Sequence, residues 1–505
     1  MLFNFDWLKK GQLFPPMPEI SRMKAYKDNE ALFKGEYSMV LEGYLKRLRE
    51  LIFGVHDTGN PSDTFFDCPN YWQLSTIKTA DLTFGDSPNV LYEKDQDAIN
   101  KALTESDLMS KLDEILIDYD SKGESIVVPY IDAEGTRTFS VNNPGLWIPI
   151  CNPENPKEIL YDCICWTVCV KQDIKNPINS IYELHCKVQK RGDTYYTLKK
   201  YKISTHYYKP YIDAFTKENF GQVHFFQIGS LLEEENKPAP YTQAVILFPG
   251  ITTSNTVHGI SNYDRITSII GEIAIREALA GYILDQNSVP RMSAPESAFV
   301  RNKAGQWVLK TGGKSFVVKP GESPPVYVTW DGNLTSNEER IRELKRELYS
   351  LSELGSVLSV DDMNSSQGHE ALEVKMTNPK LKARRICKKF DKPLKQLICF
   401  LVGKSEITPK DISIIYNYGL PVTESQNLDM ALKKKSLGVS TQSVLTEFFG
   451  LTEEEAEAEV EKAREENADA FMGSFIHQNS SYDKNKDNLD ATDEETDIED
   501  DEEIE

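Results

Sequence analysis

Two long helical segments, with a short β-rich stretch between them, constrain the fold of this chain most strongly. Residues 261–287, "SNYDRITSIIGEIAIREALAGYILDQN", carry apolar residues at helical spacing, and Pro290 ends the segment. Residues 295–330 then contain short strand-like runs such as "SAFVRN", "WVLKT" and "VYVTW". A second helix is predicted from the capping box Ser336-x-x-Glu339 onward. About 50 residues separate the two helices, so we expect them to form an antiparallel pair, and such a pair can pack side by side with copies of itself.

The apolar residues of both helices form narrow stripes, which are typical of helices that pack on other helices. The stripe of the first helix consists of Ile266, Ile269, Ile270, Ile273, Ala280 and Leu284. The stripe of the second consists of Ile341, Leu344, Leu348 and Leu351, and Gly355 closes that helix.

The first half of the chain predicts helices followed by a sheet. Helices are expected over 28–53, from Tyr71 to the turn that begins at Gly85, and over 95–118. From 125 to 248 the sequence changes to short β-rich runs separated by turn residues, including "SIVVPYI", "CICWTVCVK" and "AVILFP". This order favours an α+β fold with a meander-like sheet.

A polar stretch leads into a basic segment after the second long helix. Residues 355–368 contain four Ser, two Gly, two Asp, one Asn and one Gln, and helical sequence then runs to about 402. The pair Asn378–Pro379 is expected to bend or restart that helix. Between 375 and 395 there are nine Lys or Arg residues and one acid, Asp391. The basic face either pairs with acids elsewhere in an acidic protein or contacts phosphates without reading bases.

The end of the chain predicts short helices and then an acidic tail. A strand-like run, "DISIIYNYG", precedes helices expected over 425–435 and 440–449 and a third helix capped by Thr452. From Asp483 to Glu505 there are thirteen acids and two lysines, a local charge of −11 out of −22 for the whole chain. Such a tail is expected to be disordered. It either keeps the protein soluble, or repels nucleic acid or binds a basic partner.

Composition indicates a protein of a reducing compartment. No window approaches the roughly 18 continuous apolar residues of a membrane span. The start, "MLFNFDWLKKGQLFPP", lacks the order of a signal peptide. The eight cysteines are therefore expected to be free thiols. Cys163, Cys165 and Cys169 alternate along one strand, a spacing that does not suit zinc, and neither a metal nor a cofactor is expected.

No constellation in the sequence argues for catalysis. "TGGKS" at 311–315 resembles part of a phosphate-binding loop, but Val308 stands where that motif needs its first Gly. The sequence contains no Gly-x-Ser-x-Gly elbow and no His-Glu-x-x-His, and the carboxylate pairs Glu272/Glu277 and Asp361/Asp362 lack a third group that would mark an active site.

The order of these segments resembles the portal (head–tail connector) proteins of tailed bacteriophages, of the type found in long non-contractile-tailed phages. The segments that carry the resemblance are the start "FNFDWLKKG", the helix "HGISNYDRITSIIGEIAIREALAGYILDQNSVPRM", the stretch "DDMNSSQGHEALEVKMTNPKLKARRICKKF" and the ending "LTEEEAEAEVEKAREENAD". Their order and spacing cover nearly the whole chain, whereas the first 250 residues match the family weakly.

The resemblance implies a portal fold: an α/β wing, a two-helix stem, a small β-rich clip, a long helix after a tunnel loop, a helical crown and a disordered acidic tail. The implied boundaries are wing 1–258, stem helix 259–287, clip 288–332, stem helix 333–354, tunnel loop 355–368, long wing helix 369–404, wing return strand 405–424, crown 425–480 and acidic tail 481–505.

The resemblance also implies a role. Family members form a ring, typically of twelve subunits, at one capsid vertex of the virion, after assembly in the host cytoplasm. Double-stranded DNA passes non-specifically through the channel during packaging and ejection. The clip is expected to bind the terminase large subunit and later a head-completion (adaptor) protein, while wing and crown meet the major capsid and scaffold proteins. The portal itself is not an enzyme, and no membrane is involved.

Three sets of site residues follow from this resemblance. The tunnel-loop residues expected to face DNA are Asn364, Ser365, Ser366 and Gln367. The residues expected between subunits are Lys382, Arg384, Arg385, Lys388, Ile341, Leu344, Leu348 and Leu351. The clip residues expected to bind terminase or adaptor are Arg301, Lys303, Trp307 and Lys310.

Two other functions remain open at this point. A nucleic-acid-processing enzyme would use the basic 375–395 segment to bind its substrate, and would be active as a monomer or dimer. A cellular scaffold protein would bind partners through its helices and acidic tail. The oligomeric state discriminates among the three functions.

Overall fold

A computed structural model describes residues 2–38, 40–53, 68–92, 94–171, 180–206, 225–288, 291–293, 299–303, 305–309, 320–321, 323, 326–328, 335–355, 374–404, 406–417, 424–449 and 455–464. Helices and strands are mixed along the chain, which confirms the α+β class. The chain divides into two compact units, residues 1–419 and 420–505.

The larger unit contains eight α-helices within its described residues. They are α1 (Ile20–Lys34), α2 (Glu42–Phe53), α3 (Tyr71–Phe84), α4 (Gln96–Ser106), α5 (Leu108–Lys122), α6 (Tyr263–Ser288), α7 (Thr335–Leu351) and α8 (Thr377–Val402). The smaller unit contains α9 (Glu424–Ser436), α10 (Thr441–Phe449) and a helix over 455–464. None of the described helices combines the length and apolarity needed to cross a bilayer.

Two helices that the sequence predicted as continuous are each divided. The helix expected over 28–53 breaks between α1 and α2, because Gly35 adopts a left-handed conformation (φ 79°) and caps α1. The helix expected over 95–118 breaks at Asp107, which is also left-handed (φ 52°) and separates α4 from α5. Aspartate adopts this conformation more readily than most residues do. The second break therefore occurs without a glycine, and helical periodicity alone did not predict it.

A six-stranded antiparallel sheet forms the predicted meander. Its strands are β1 (Leu13–Phe14), β5 (Ile150–Cys151), β6 (Ile159–Lys171), β7 (Ile181–Lys190), β8 (Tyr195–His206) and β9 (Phe225–Pro238). The spatial order is β1-β9-β8-β7-β6-β5, so consecutive strands pair and β1 joins from the start of the chain. One face buries Cys163, Cys165 and Cys186 as free thiols, and the Cys165 Sγ lies 3.0 Å from the Cys186 Sγ. Burial raises the pKa of the Cys163 thiol well above its ordinary value.

The remaining strands form small sheets. β10 (Ile246–Pro249), β3 (Glu124–Ile131) and β4 (Arg137–Asn142) form a three-stranded antiparallel sheet. The two-stranded sheets pair β11 (Arg291–Ser293) with β14 (Val326–Val328), β12 (Phe299–Arg301) with β13 (Trp307–Leu309), and β15 (Ser413–Ile415) with β2 (Asn89–Leu91).

The main core forms around α8. Phe390 is fully buried, and its ring centroid lies 5.3 Å from that of Phe84, 5.2 Å from that of Tyr119 and 4.9 Å from that of Phe248. The helix restarts at Thr377, as the Asn378–Pro379 pair predicted, and it ends at a left-handed Gly403. Its apolar face therefore joins α3, α5 and the three-stranded sheet into one body.

α6 and α7 pack side by side, as the sequence predicted. Leu344 and Leu348 of α7 are buried in one cluster with Ile266, Ile270 and Ile273 of α6. The helices run antiparallel, because the end of α7 approaches Arg265 near the start of α6. α7 begins at Thr335, so Ser336 lies inside its first turn rather than capping it.

Three glycines allow the close approach that directs the chain into α6. A Cβ at Gly250 or at Gly259 would lie 1.8 Å from the carbonyl oxygen of Gly123. Only glycine permits such a contact, so the turn after α5 and the segment before α6 lie backbone to backbone. This contact places the start of α6 beside the end of α5.

Candidate functional site: the junction of α6, α7 and α8

A buried lysine joins the end of α7 to the helical core. The Lys382 Nζ of α8 donates to the backbone oxygen of Ser352, just after α7, at 3.1 Å. It also donates to the Thr79 Oγ1 of α3 at 2.8 Å and lies 3.7 Å from the Asp120 Oδ1 of α5. The lysine side chain is 6% exposed, so these groups replace its hydration.

Asp120 is held in turn by hydroxyl groups. The Thr76 hydroxyl donates to the Asp120 Oδ2 at 2.8 Å and lies 3.0 Å from the hydroxyl of Tyr263 at the start of α6. Burial lowers the pKa of Lys382 below its ordinary value, although the charge of Asp120 opposes this shift. The network therefore links α3, α5, α6 and α8 through groups that are buried and hydrogen-bonded.

Glu353 forms a second link at the same place. Its φ of 59° is left-handed, a conformation that is uncommon for a residue other than glycine. The Arg265 Nη1 of α6 lies 3.3 Å from the Glu353 Oε1, and the Arg385 Nη2 of α8 donates to the Glu353 Oε2. Two arginines thus hold a strained glutamate directly after α7.

The cavity at this junction is too small for a substrate. Its volume is about 40 Å³, and its lining includes Asp120, Asn262, Glu353, Lys382 and Arg385. Small-molecule sites are usually several hundred Å³. The geometry therefore suits a structural joint rather than a catalytic pocket.

A larger cavity of about 350 Å³ lies beside α1. Arg22 there donates to the Glu19 carboxylate at 2.7 Å and to the Trp147 backbone oxygen at 2.7 Å. The fully buried Glu124 accepts from the Tyr26 hydroxyl at 2.6 Å, and the His258 Nδ1 lies 2.9 Å from the same carboxylate. These charged groups engage one another, which is the pattern of a structural network. In the described part of the chain no cluster of His, Cys, Asp or Glu is placed to hold a metal ion.

The outer face of α8 is basic and exposed. Arg384, Lys388 and Lys392 follow one another at four-residue spacing, and Leu381, 52% exposed, continues the same face. None of the three cations has an ion pair with another described residue. We call Leu381, Arg384, Lys388 and Lys392 the basic stripe.

Lys382 was predicted to lie between subunits, and the structure does not place it there. The lysine is buried and bonded within its own subunit, because it occupies the apolar face of α8 one turn before Ile386. Arg385 is committed to Glu353, whereas Arg384 and Lys388 are exposed. Leu344 and Leu348 are likewise buried within the subunit against α6. Ile341 is half-buried and Leu351 is exposed.

Three of the four predicted clip residues, Arg301, Lys303 and Trp307, lie on a small exposed hairpin. The Arg301 guanidinium of β12 lies 4.8 Å from the ring centroid of Trp307 in β13. Trp307 is 52% exposed, and Lys303 in the connecting turn is exposed as well. Lys310 lies outside the described residues, as do the tunnel-loop residues Asn364, Ser365, Ser366 and Gln367.

Asp120, Arg265, Ser352 and Glu353 were not among the residues predicted from the sequence. A signal for part of the joint existed, because Asp120 lies four residues after Leu116 on the buried face of α5, and Lys382 lies on the buried face of α8. A charged residue within an apolar stripe usually has a partner. No signal marked Glu353, because a left-handed conformation is uncommon for a residue other than glycine.

Residues 329–470, which include α7, Glu353, α8 and the helices of the smaller unit, match the family described as "Phage portal protein, SPP1 Gp6-like". No curated protein matches the chain in sequence.

Two solved structures resemble the chain at low identity. One is described as "Neck of native GTA particle computed with C12 symmetry", with 9% identity, a TM-score of 0.41 and coverage of 75% of this chain and 89% of that chain. The other is described as "Virion of native gene transfer agent (GTA) particle", with 10% identity, a TM-score of 0.41 and coverage of 81% and 93%.

The family match covers the second long helix and two of the four segments that carried the resemblance in the sequence, the stretch that contains the basic segment and the helical ending. The predicted resemblance to tailed-phage portal proteins is thereby confirmed, and it rests on residues 329–470, which match the SPP1 Gp6-like portal family.

Proposed function

We propose that this protein is the portal, or head–tail connector, of a phage-like particle: a structural subunit that forms a ring at one capsid vertex. The observation that carries the proposal is the family match over residues 329–470. The role is structural, and a separate motor ATPase supplies the work of DNA packaging.

Ring formation rests on side-by-side packing of the subunits. The antiparallel α6 and α7 share a buried core that includes Leu344 and Leu348, which makes them a rigid pair. In the proposed ring of about twelve copies, each subunit contacts its neighbours through two different surfaces. We assign 259–287 and 333–354 to the stem, 288–332 to the clip and 425–480 to the crown.

The channel is proposed to pass double-stranded DNA without binding it tightly. Tight phosphate contacts would stall translocation, and the net charge of −22 disfavours them. Residues 355–368 are proposed to narrow the channel, with Ser365, Ser366 and Gln367 facing its lumen. The links from Lys382 to Ser352 and from two arginines to Glu353 hold the residues that directly precede this segment.

The β12–β13 hairpin is proposed as the docking surface for the terminase large subunit and then for a head-completion protein. An exposed tryptophan beside an arginine suits such a surface, because both residue types are enriched at the energetic centres of interfaces. Wing and crown are proposed to contact the capsid shell and scaffold, so the assembled protein resides in the virion.

Replacement of the proposed tunnel loop tests the channel role. A variant that lacks residues 356–368 should still form rings, because the buried contacts of α7 and α8 remain, but particles should retain less DNA. A Gly/Ser segment of equal length serves as the matched control, since it keeps the chain length and removes the side chains. Normal amounts of packaged DNA in the deletion variant would refute the role of the loop.

A further inference from the structure

The surface opposite the basic stripe is an exposed mixture of apolar and acidic side chains. On α3, Leu74 and Ile77 are each 39% exposed, and Asp81 follows on the same face. On the adjoining α5, Asp113 and Glu114 are exposed, and neither has an ion pair with another described residue. We call Leu74, Ile77, Asp81, Asp113 and Glu114 the α3–α5 patch.

Asp81 of α3 and Asp113 of α5 repel each other. Partial burial raises the pKa of Asp113, and the charge of Asp81 raises it further. Lys78 pairs with Asp81 at 3.1 Å but is 40% exposed, so it screens the patch only weakly. An added cation at this place would relieve the repulsion.

Helical periodicity places the stripe and the patch on opposite sides of the α3–α8 pair. Lys382 of α8 and Thr79 of α3 are hydrogen-bonded and mark the sides on which the two helices meet. At about 100° per residue, the basic stripe is rotated by roughly 200–280° from Lys382 around α8. The α3 residues of the patch are rotated by roughly 160–220° from Thr79 around α3. One subunit therefore presents complementary surfaces on two opposed sides, the arrangement that a head-to-tail ring requires.

We propose that the basic stripe of one copy docks on the α3–α5 patch of a second copy, with Leu381 against Leu74 and Ile77 and the cations against the acids. The proposal rests on the proposed ring and names the two surfaces that close it. Both surfaces combine apolar with charged side chains, and their charges are opposite. Charge complementarity of this kind fixes register and suppresses wrong pairings.

A charge swap in the full-length chain tests the pairing. Reversal of the stripe by Arg384→Glu and Lys388→Glu should lower the fraction of protein in rings at least tenfold, measured by native mass and negative-stain images. Reversal of the patch by Asp81→Lys and Asp113→Lys should do the same. All four substitutions in one chain should restore rings. Circular dichroism and the melting temperature verify that each variant is folded. Arg384→Gln with Lys388→Gln removes the two positive charges without reversing them and is the milder variant of the stripe.

The control and the contrary outcomes separate this inference from the ring itself. Lys9→Glu with Lys101→Glu changes the charge equally at lysines that are more than 70% exposed, and it should leave rings intact. Absence of rings in the unaltered protein would contradict the proposed function. Rings in either reversal, or no recovery in the four-substitution chain, would overturn the pairing alone. Normal rings with weaker DNA retention after stripe reversal would show that the stripe contacts DNA instead.

Discussion

Removal of the buried charge of Lys382 should destabilise the larger unit far more than removal of a surface lysine. In Lys382→Met the ammonium is lost, so the Asp120 carboxylate keeps its hydrogen bond from Thr76 but loses this cation, and the Ser352 carbonyl loses this donor. The Thr79 hydroxyl loses the lysine as a donor but still donates to the Ser75 backbone oxygen. Methionine fills a similar volume, so the change isolates the polar contacts from the packing.

The magnitude follows from distance and burial. Opposite charges 3.7 Å apart attract by about 4 kcal/mol at an effective dielectric constant of about 20. While both partners are present, the cost of removing the two charges from water offsets much of this attraction. When Lys382 is replaced, the buried Asp120 carboxylate still bears its own desolvation cost but no longer gains the attraction. Loss of one partner of a buried pair therefore lowers the free energy of unfolding by about 3–5 kcal/mol.

The assay is a double-mutant cycle read by melting temperature and by hydrogen exchange of amides in α3, α5 and α8. Lys382→Met and Asp120→Asn should each be strongly destabilising, and the double variant should recover about 1–3 kcal/mol relative to the sum. Lys395→Met is the matched control on the same helix, because its pairing with Asp391 at 3.0 Å is an ordinary one-turn contact. That control should change stability by about 0.5 kcal/mol or less.

The pH dependence has a definite sign. The folded-state pKa of Lys382 is lowered from 10.5, so the unfolded chain binds more protons between the folded-state value and 10.5. The contribution of this residue to stability therefore rises with pH across that window. The melting-temperature gap between the unaltered protein and Lys382→Met should widen accordingly. Strict additivity in the cycle, or a gap that narrows with rising pH, would refute the account of the buried pair.

Three further outcomes are expected. Glu353→Ala should be less stable than Glu353→Gly by about 1 kcal/mol in urea or thermal unfolding. Both variants lose the ion pairs with Arg265 and Arg385, but only glycine adopts the left-handed conformation without strain. Equal stabilities would contradict the claim that Glu353 is strained. His258 and Arg22 lower the pKa of Glu124 below 4.5 despite its burial, so its stabilising contribution is full above about pH 4.5 and is lost at lower pH. The melting-temperature gap to Glu124→Gln should shrink as pH falls below 4.5, and a constant gap would exclude this linkage. Trp307→Ala should leave rings intact but weaken terminase binding at least tenfold, measured by surface plasmon resonance. Val326→Ala changes another exposed apolar residue and serves as the control. Unchanged binding in Trp307→Ala would show that the hairpin is not the docking surface.

Local patterns predicted the elements whose structure depends mainly on their own residues. The apolar stripe of α6 and the alternating leucines of α7 specified an antiparallel pair, and Leu344 and Leu348 are buried as that pattern requires. The Asn378–Pro379 pair marked the restart of α8, and Pro379 lies in the first turn of that helix, where proline is tolerated.

Features that depend on distant parts of the chain were not predictable. β1 joins the edge of β9, more than 200 residues away, and β15 pairs with β2 across the larger unit. Lys382 was predicted to lie between subunits because it is one of nine basic residues in its segment, yet its partners Asp120 and Thr79 are about 260 and 300 residues distant. The residue types predicted that α8 is basic, but the fold determines which of its basic side chains is buried.

The oligomeric state of the purified full-length protein tests the central claim most directly. Native mass spectrometry together with negative-stain images measures it without any assumption about partners. The account predicts closed rings of about twelve copies with a central hole. A monomer or dimer at micromolar concentration, with no rings in the images, would contradict it.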